Sequence, residues 1–354
     1  MTRFVKGNEA VVIGALYAGC DAFFGYPITP ASEVSHAAAE WFPALGRIFL
    51  QAESETAAIN MVYGAGAAGK KAMTASSSPG ISLMQEGLSY MAGAELPGVI
   101  VNIQRAGPGL GNIFPEQADY NQAVKGGGHG NYHCLVLAPG NVQEMCDLTA
   151  LAFTLAFRYR NPVIVLADAV LGQMMETLRL PEETPPAPDV RDWAVQGTPE
   201  TRRNLITSIY LNASTLEERN IALQNKYAKA QTEARAETDR TDDAEILLAA
   251  YGISSRIARS AVDRLRQRGI RAGLFRPITL YPFPREALTC TLQGRPLAVV
   301  ELSNGQFHDD ILFQLGPHAG PITLINRMGG MLFTVDEVVE RVLAFLRQSE
   351  GLGR

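Results

Sequence analysis

Cysteine is scarce in this chain of 354 residues, which has four, and no two of them stand close together. Without a C-x-x-C pair, we do not expect an iron–sulfur cluster or a structural zinc site built by this chain alone. No apolar run approaches the roughly 18 residues of a membrane helix, and the N-terminal segment lacks the apolar core of a signal peptide. These absences favour a cytoplasmic protein with reduced thiols. The cysteines are Cys20, Cys134, Cys146 and Cys290.

A strong excess of charge of one sign is also missing. The formal net charge is -5, so the sequence shows no basic surface for nucleic acid or for an anionic membrane. Apolar residues make up 47% and charged residues 19%, which is ordinary for a globular protein. The length is sufficient for two domains with a sizeable core.

Residues 64–70 read GAGAAGK, which satisfies the dinucleotide fingerprint G-x-G-x-x-G and most of the phosphate-loop pattern. A working motif of either kind follows a strand and opens a helix, so that backbone N–H groups face the phosphates. Here the glycines end a helical pattern and precede a strand, and Lys71 occupies the position of the required hydroxyl. An anion would meet the carbonyl end of the helix. We therefore expect close helix packing, with Gly69 as the C-cap, and no NAD or ATP site.

The chain divides into three segments by pattern. In residues 1–180 strands alternate with helices, which predicts an α/β fold with a parallel sheet covered on both faces. Residues 181–242 form a connector that begins with a proline-rich stretch and contains a long charged helix, whose start has the capping-box spacing Ser214-x-x-Glu217. Residues 243–354 alternate again and predict a second, smaller α/β domain, in which RAGLFRPITLYP is one strand.

Polar residues follow the first four strands, at the edge where open parallel sheets bind ligands. Thr29 stands between constrained residues after the first strand, and Glu53 and Glu55 follow the second. The turn at 76–78 is rich in hydroxyls, and Arg105 follows the fourth strand. Each has an ordinary reading: Thr29 and the serines cap helices, the acids complement a helix dipole, and Arg105 pairs with a neighbouring acid. The functional reading is a site for an anionic ligand, with Arg105 binding a carboxylate.

Several motifs, taken in order, resemble the α subunit of the 2-oxoacid:ferredoxin oxidoreductases. They are GYPITP, ESETAA, SSSPGISLMQEG, NIQRAGPGLGN and GGGHG, followed by FRPITLYPFP and VVELSNGQF of a second domain. The resemblance covers nearly the whole chain apart from the connector. The segment from GPGLGN to GGGHG is most similar to members that act on branched-chain 2-oxoacids such as 2-oxoisovalerate, and next to the 2-oxoglutarate branch.

The resemblance implies a pyrimidine-type thiamine-diphosphate-binding domain with a doubly wound parallel sheet, a transketolase C-terminal-like domain, and no fused γ domain. The family oxidatively decarboxylates a 2-oxoacid on thiamine diphosphate, forms acyl-CoA from coenzyme A, and passes electrons through iron–sulfur clusters to ferredoxin. Thiamine enzymes bind the diphosphate through Mg²⁺ with a G-D-G motif, and this sequence has no GDG. A β subunit is therefore implied to hold the diphosphate and Mg²⁺. The [4Fe-4S] clusters are likewise implied to lie on partner subunits, among them a γ and a ferredoxin-like δ subunit.

The resemblance also implies roles for individual residues. Glu55 matches the acid that contacts N1′ of the aminopyrimidine, where a carboxylate sharing a proton promotes deprotonation of C2, and Glu53 is the nearby alternative. Thr29 and Arg105 match residues that approach the substrate and hold its carboxylate. His129, in the glycine-rich loop, is either a third substrate contact on a mobile loop or a solvated side chain. No metal ligand is expected in this chain. The remaining cofactor-binding positions are Tyr26, Pro27, Ile28 and Ser78.

Two other functions remain open at this stage. In the first, the chain would be half of a different thiamine enzyme, of the transketolase or decarboxylase type. In the second, it would be a non-catalytic assembly subunit that kept the fold. The motifs YPITP and RAGPG speak against the first alternative.

Overall fold

Two parallel-rich sheets covered by helices make up the computed structural model, which describes residues 2–351. The strands are, in chain order, β1 (Thr2–Lys6), β2 (Ala22–Gly25), β3 (Ile48–Gln51), β4 (Ala72–Ser76), β5 (Gly98–Gln104), β6 (Leu135–Leu137), β7 (Pro162–Asp168), β8 (Met175–Arg179), β9 (Ala236–Asp239), β10 (Ile246–Ala249), β11 (Ala272–Pro277), β12 (Thr279–Tyr281), β13 (Leu297–Glu301) and β14 (Ile322–Asn326). The helices are α1 (Gly7–Tyr17), α2 (Ser32–Ala44), α3 (Glu55–Ala67), α4 (Ser78–Gly93), α5 (Tyr120–Lys125), α6 (Val142–Tyr159), α7 (Ala169–Gln173), α8 (Ala213–Ala230), α9 (Gly252–Gln267), α10 (Arg285–Leu292), α11 (Gln306–Leu315) and α12 (Val335–Gly351).

The larger sheet has the strand order β12-β6-β7-β5-β4-β2-β3, and every neighbouring pair except β12 with β6 is parallel. Strand β5 is buried along its whole length because helices cover both faces. Val99, Val101 and Ile103 pack with α1, α2 and α6, whereas Ile100 packs with α3 and α4 on the opposite face. The predicted doubly wound sheet is confirmed.

The smaller sheet has the order β14-β13-β10-β11-β9, in which β9 is antiparallel to β11 and the other pairs are parallel. The expected single strand RAGLFRPITLYP is wrong. The chain breaks at Ile278 between β11 and β12, and β12 crosses over to extend the larger sheet beside β6. Strand β9 of the smaller sheet in turn comes from the end of the expected connector. Each of the two sheets therefore contains one strand that the sequence analysis had assigned to a different segment of the chain. The domain limits themselves stay a prediction.

Two further details differ from the expectations. Strands β1 and β8 pair antiparallel as a small ribbon, although neither was predicted and they lie at opposite ends of the first segment. Helix α8 is capped by Asn212, whose side chain accepts hydrogen bonds from the backbone N–H groups of Ser214 and Thr215, so the predicted capping box is wrong. None of the described helices is both long and apolar enough to cross a bilayer.

The two domains are joined through the buried amide of Gln117. Its Nε2 donates to the Tyr251 carbonyl at 2.9 Å, and its Oε1 accepts from Ser254 Oγ at 2.7 Å and from the Leu302 N–H at 3.0 Å. A second link is ionic: Arg276 of the smaller domain donates two hydrogen bonds to the Glu144 carboxylate of α6. Gln117 therefore fixes the loop that follows Arg105 against the second domain.

The glycine-rich stretch at 64–69 lies where the reversed order predicted. It ends α3 and precedes β4, but the prediction of Gly69 as the C-cap is wrong by one residue. The C-cap is Ala68, and Gly69 follows it with φ of +76°, a conformation that favours glycine. At Gly66 the helix approaches the chain entering β5 so closely that an added Cβ would lie 2.6 Å from the Pro97 carbonyl oxygen. The small residues thus serve helix packing.

This close approach can be tested with a matched pair of substitutions in one helix. Gly66→Ala is expected to lower the free energy of unfolding by about 1–3 kcal/mol, because the methyl group overpacks the site. Gly64→Ala, whose Cβ would meet nothing within 4 Å, is expected to raise it by about 0.4–1 kcal/mol. Urea unfolding of the two variants measures both, and equal effects would contradict the packing role.

Candidate functional site

The carboxyl ends of β2, β3, β4 and β5 lie side by side, since these strands are neighbours in the sheet. The residues that follow them are therefore brought to one edge, as the sequence predicted. Helices α2, α3 and α4 begin close to that edge, after β2, β3 and β4 respectively. The edge thus combines the side chains of the loops with the N-terminal ends of helices, which favour negative charge.

Arg105 is held in place by backbone carbonyls. Its Nη1 donates to the Thr29 carbonyl at 2.9 Å and its Nη2 to the Leu110 carbonyl at 3.0 Å. Ser78 Oγ accepts from the Arg105 backbone N–H at 3.0 Å, which ties the first turn of α4 to the same residue. Within residues 2–351 no carboxylate pairs with this guanidinium, and its buried Nε–H has no acceptor. The alternative of a neighbouring acid is therefore wrong, and the charge is available to an anion.

Glu55 is the first residue of α3 and is 6% exposed, whereas Glu53 is exposed to solvent. Ser54, not Glu55, caps the helix: its Oγ accepts from the Ala57 N–H at 3.2 Å. In the described part of the chain the Glu55 carboxylate has no hydrogen-bond partner. A carboxylate on a largely buried side chain gains from a hydrogen-bond donor, so an incoming N–H or a shared proton would stabilise it.

The space around Glu55 is tightly bounded by the start of α4. A Cβ on Gly80 would lie 2.4 Å from Glu55 Oε1 and 2.1 Å from Ser76 Oγ, so only glycine fits there. The hydroxyls of Ser76 and Ser77 are buried and have no hydrogen-bond partner among the described residues. Buried polar groups in a protein core normally have hydrogen-bond partners. These unpartnered hydroxyls therefore favour a binding site for a polar ring over a solid core.

A cleft of about 750 Å³ lies between the two domains beside Arg105. Ser78, Arg105 and Gly107 line it from the larger domain, and Gln306 and Met328 from the smaller one. Three further polar residues line the cleft, and the sequence analysis did not single them out although they lie within or next to its motifs. They are Glu116, Asp119 and Asn304.

Asp119 is a half-buried acid in this wall. It accepts a hydrogen bond from Asn102 Nδ2 at 2.7 Å, and burial raises the pKa of its carboxyl. The Asn102 Oδ1 is buried and has no partner among the residues that the structure describes. Among the described residues that line the cleft, Arg105 is thus a cation without a carboxylate partner, and Asp119 is an acid whose raised pKa disfavours ionisation.

Other predicted site residues lie further out. Tyr26 and Pro27 are exposed on the turn after β2, and Ile28 is half-buried. His129 is exposed, and its ring packs edge-on against Tyr90 at 6.3 Å. Its carbonyl accepts from Ser89 Oγ, about 16 Å along α4 from Ser78 at 1.5 Å per residue. The structure therefore does not bring His129 to Arg105, and its role in substrate binding stays a prediction.

The thiols take no part in this site. Cys20, Cys134 and Cys146 are buried and Cys290 is exposed, and burial raises the pKa of Cys134 to about 12. Between residues 2 and 351 there is no group of three or more His, Cys, Asp or Glu side chains arranged to hold a metal ion.

Comparisons with known protein families match residues 13–338, which is most of the chain. The family described as pyruvate flavodoxin/ferredoxin oxidoreductase, thiamine diphosphate-binding, matches residues 13–243, and the family described as pyruvate:ferredoxin oxidoreductase core domain II matches residues 244–338. Ketoisovalerate oxidoreductase subunit VorB of Methanothermobacter thermautotrophicus is 60% identical over 96% of this chain and 97% of its own length. The 2-oxoglutarate synthase subunit KorA of Archaeoglobus fulgidus is 42% identical over 86% of this chain and 89% of its own.

A solved structure agrees in fold. The 2-oxoglutarate:ferredoxin oxidoreductase from Magnetococcus marinus, determined with 2-oxoglutarate, coenzyme A and succinyl-CoA, superimposes with a TM-score of 0.85 at 28% identity. The superposition covers 97% of this chain and 65% of that longer chain.

Proposed function

The chain belongs to the 2-oxoacid:ferredoxin oxidoreductase family, and from this premise we propose that it is the α subunit of an enzyme that converts a branched-chain 2-oxoacid and coenzyme A to acyl-CoA and CO₂ while reducing ferredoxin. The observation that carries the proposal is Glu55: a buried carboxylate at the carboxyl edge of a parallel sheet, next to unpartnered hydroxyls.

The unsatisfied groups at this edge fit the aminopyrimidine side of thiamine diphosphate. Glu55 would share a proton with a ring nitrogen, and the hydroxyls of Ser76 and Ser77 would supply hydrogen bonds that the protein leaves unused. The exposed turn from Tyr26 to Ile28 would cover the ring. When bound, thiamine diphosphate supplies the carbon nucleophile and the electron sink for decarboxylation.

Arg105 and Thr29 would act on the substrate. The Arg105 guanidinium is oriented by two carbonyl oxygens, and one N–H on each of Nη1 and Nη2 would remain for a carboxylate. Thr29 is exposed beside it, and its carbonyl is one of the two that set the guanidinium plane. The binding of the substrate carboxylate would hold the 2-oxo carbon at the cofactor.

Sequence similarity to known proteins and the charge of the residues that line the cleft both favour a branched-chain substrate. A relative that is 60% identical is named for ketoisovalerate, and one named for 2-oxoglutarate is 42% identical. Among the described residues that line the cleft, Arg105 is the one cation, whereas a 2-oxoglutarate site needs a second positive group for the distal carboxylate. Met328 offers an apolar side chain that is 56% exposed.

The substrate proposal is tested on the enzyme co-purified with its partner subunits. Reduction of a viologen dye is assayed with coenzyme A and 2-oxoisovalerate, 2-oxoglutarate, pyruvate or an aryl 2-oxoacid. We expect the largest kcat/KM for 2-oxoisovalerate. A larger value for 2-oxoglutarate would contradict the branched-chain assignment but not the reaction class.

The rest of the cofactor site would belong to partners. We propose that a β subunit holds the diphosphate and Mg²⁺, that γ and ferredoxin-like δ subunits complete the complex, and that [4Fe-4S] clusters lie outside this chain. The absent GDG motif and the scattered cysteines support this division. A cytoplasmic location stays a prediction from the sequence.

The isolated chain is therefore expected to bind thiamine diphosphate weakly, since it lacks the Mg²⁺–diphosphate contacts that supply most of the anchoring charge. Isothermal titration calorimetry of the chain alone, compared with the chain bound to its β subunit, measures the difference. Equally tight binding in both samples would contradict a cofactor shared between subunits.

A further inference from the structure

One buried carboxylate spans the cleft at the base of the Arg105 loop. Glu116 is 3% exposed, and its Oε2 accepts from the Gly107 N–H at 2.8 Å while its Oε1 accepts from the Gly329 N–H at 2.7 Å. Gly107 lies two residues after Arg105, and Gly329 lies in the loop between β14 and α12 of the smaller domain. The same side chain therefore joins the arginine loop to the opposite wall of the cleft.

The two loops meet at two further points. Asn112 Nδ2 donates to the Gly329 carbonyl at 3.1 Å. Gly330 approaches so closely that an added Cβ would lie 2.6 Å from the Cβ of Phe114. The junction is thus a packed contact centred on Glu116, and in the described part of the protein Glu116 pairs with no cation.

The arginine loop is closed by hydrogen bonds between its own backbone groups, so the way it is attached to the second domain matters. The Ala106 N–H donates to the Phe114 carbonyl at 2.9 Å, and the Asn112 N–H donates to the Ala106 carbonyl at 3.0 Å. The Leu110 carbonyl that orients the Arg105 guanidinium belongs to this closed loop. A loop that keeps its shape moves as a unit, so the bonds at its base set where the guanidinium points.

We infer that Glu116 is a positioning residue for the substrate: its carboxylate fixes the Arg105 loop against the Gly329 loop and so sets the affinity of the site for the 2-oxoacid carboxylate. The inference rests on the proposed role of Arg105. Both carboxylate oxygens of Glu116 are engaged by backbone N–H groups, so its effect on the substrate would pass through Arg105.

The test is steady-state kinetics on the complex with its partner subunits, with Glu116→Gln as the main variant. A glutamine can accept from one N–H with its carbonyl, but its amide group then faces the other N–H as a second donor. We expect KM for the 2-oxoacid to rise on the order of tenfold, the size of one lost charge-assisted hydrogen bond, with KM for coenzyme A and the cofactor content unchanged. Glu116→Asp keeps the charge and is expected to fall between wild type and Glu116→Gln.

The matched control is Glu144→Gln. Glu144 also bridges the domains, through Arg276, but lines a different pocket and not the cleft beside Arg105. We expect its KM to stay at the wild-type value even if its melting temperature falls. An equal rise of KM in both variants would show that general domain docking, not Glu116, sets the affinity, and would overturn the inference.

A double variant and amide exchange separate the inference from the proposed function. If Glu116 acts through Arg105, then Glu116→Gln combined with Arg105→Ala has the KM of Arg105→Ala alone. The Gly107 and Gly329 amides should exchange faster in Glu116→Gln than in Glu144→Gln.

A normal KM in Arg105→Ala would contradict the proposed function. A raised KM in Arg105→Ala beside a normal KM in Glu116→Gln would contradict this inference alone.

Discussion

Replacement of Glu55 by glutamine is expected to lower kcat of the assembled enzyme by roughly 10²–10⁴-fold, the range typical of a lost acid–base group. The amide keeps the shape and much of the hydrogen bonding of the carboxylate but cannot share its proton with the cofactor. Since Glu55 is already buried beside α4, the substitution should leave the packing against Gly80 unchanged. KM for the 2-oxoacid and the content of thiamine diphosphate should stay near wild type.

The matched control is Glu53→Gln, two residues earlier and exposed to solvent. We expect it to retain nearly full activity. The decisive measurement is exchange of the C2 proton of bound thiamine diphosphate, followed by NMR alongside steady-state kcat. Exchange as fast in Glu55→Gln as in wild type would remove Glu55 from the role, and slow exchange in Glu53→Gln would transfer the role to that residue.

Replacement of Arg105 by alanine is expected to act mainly on KM. A charge-assisted pair contributes on the order of 1.5–3 kcal/mol, so KM for the 2-oxoacid should rise about tenfold or more. Some loss of kcat is also expected, because a badly oriented substrate reacts slowly. The structural basis for an effect on KM is that no carboxylate within residues 2–351 pairs with this guanidinium. The substitution therefore leaves no protein acid without its partner.

Arg105→Lys is the informative companion variant. Lysine keeps the positive charge but loses the planar fork that reaches both the Thr29 and the Leu110 carbonyls. We expect a KM between those of wild type and Arg105→Ala, with cofactor content normal in all three. A KM for the 2-oxoacid that is unchanged in Arg105→Ala would show that the substrate carboxylate is bound elsewhere.

Local sequence pattern was sufficient for the larger sheet and for the location of its site. The alternation of short apolar runs with helical periodicity predicts parallel strands, and parallel strands place their carboxyl ends at one edge. Thr29, Glu55, Ser78 and Arg105 could therefore be assigned to one edge before any contact was known. The reversed order of the GAGAAG stretch likewise followed from the elements on either side of it.

Pairings between distant segments could not be read in this way. Strands β1 and β8 are short and largely exposed, so neither carries a strong apolar alternation, and their partnership depends on how α1 and α7 pack. Strand β12 follows β11 after one residue but joins the other sheet, since the bend at Ile278 redirects the chain. Such choices are made by the whole fold and not by the propensity of a segment.

The sequence by itself determined which residue types stand at the carboxyl edge, because the order of strands and helices is local information. Only the tertiary structure distinguishes the surroundings of Glu53 and Glu55, because it exposes the first and buries the second, and the role of Glu55 stays a proposal. Within residues 2–351 it pairs Arg105 with no acid, and it places His129 three turns along α4 from Ser78. It also brings Glu116 between two loops that are more than 200 residues apart in sequence. Burial and hydrogen bonding depend on which segments meet across the domain boundary, and that is fixed by packing of the complete chain.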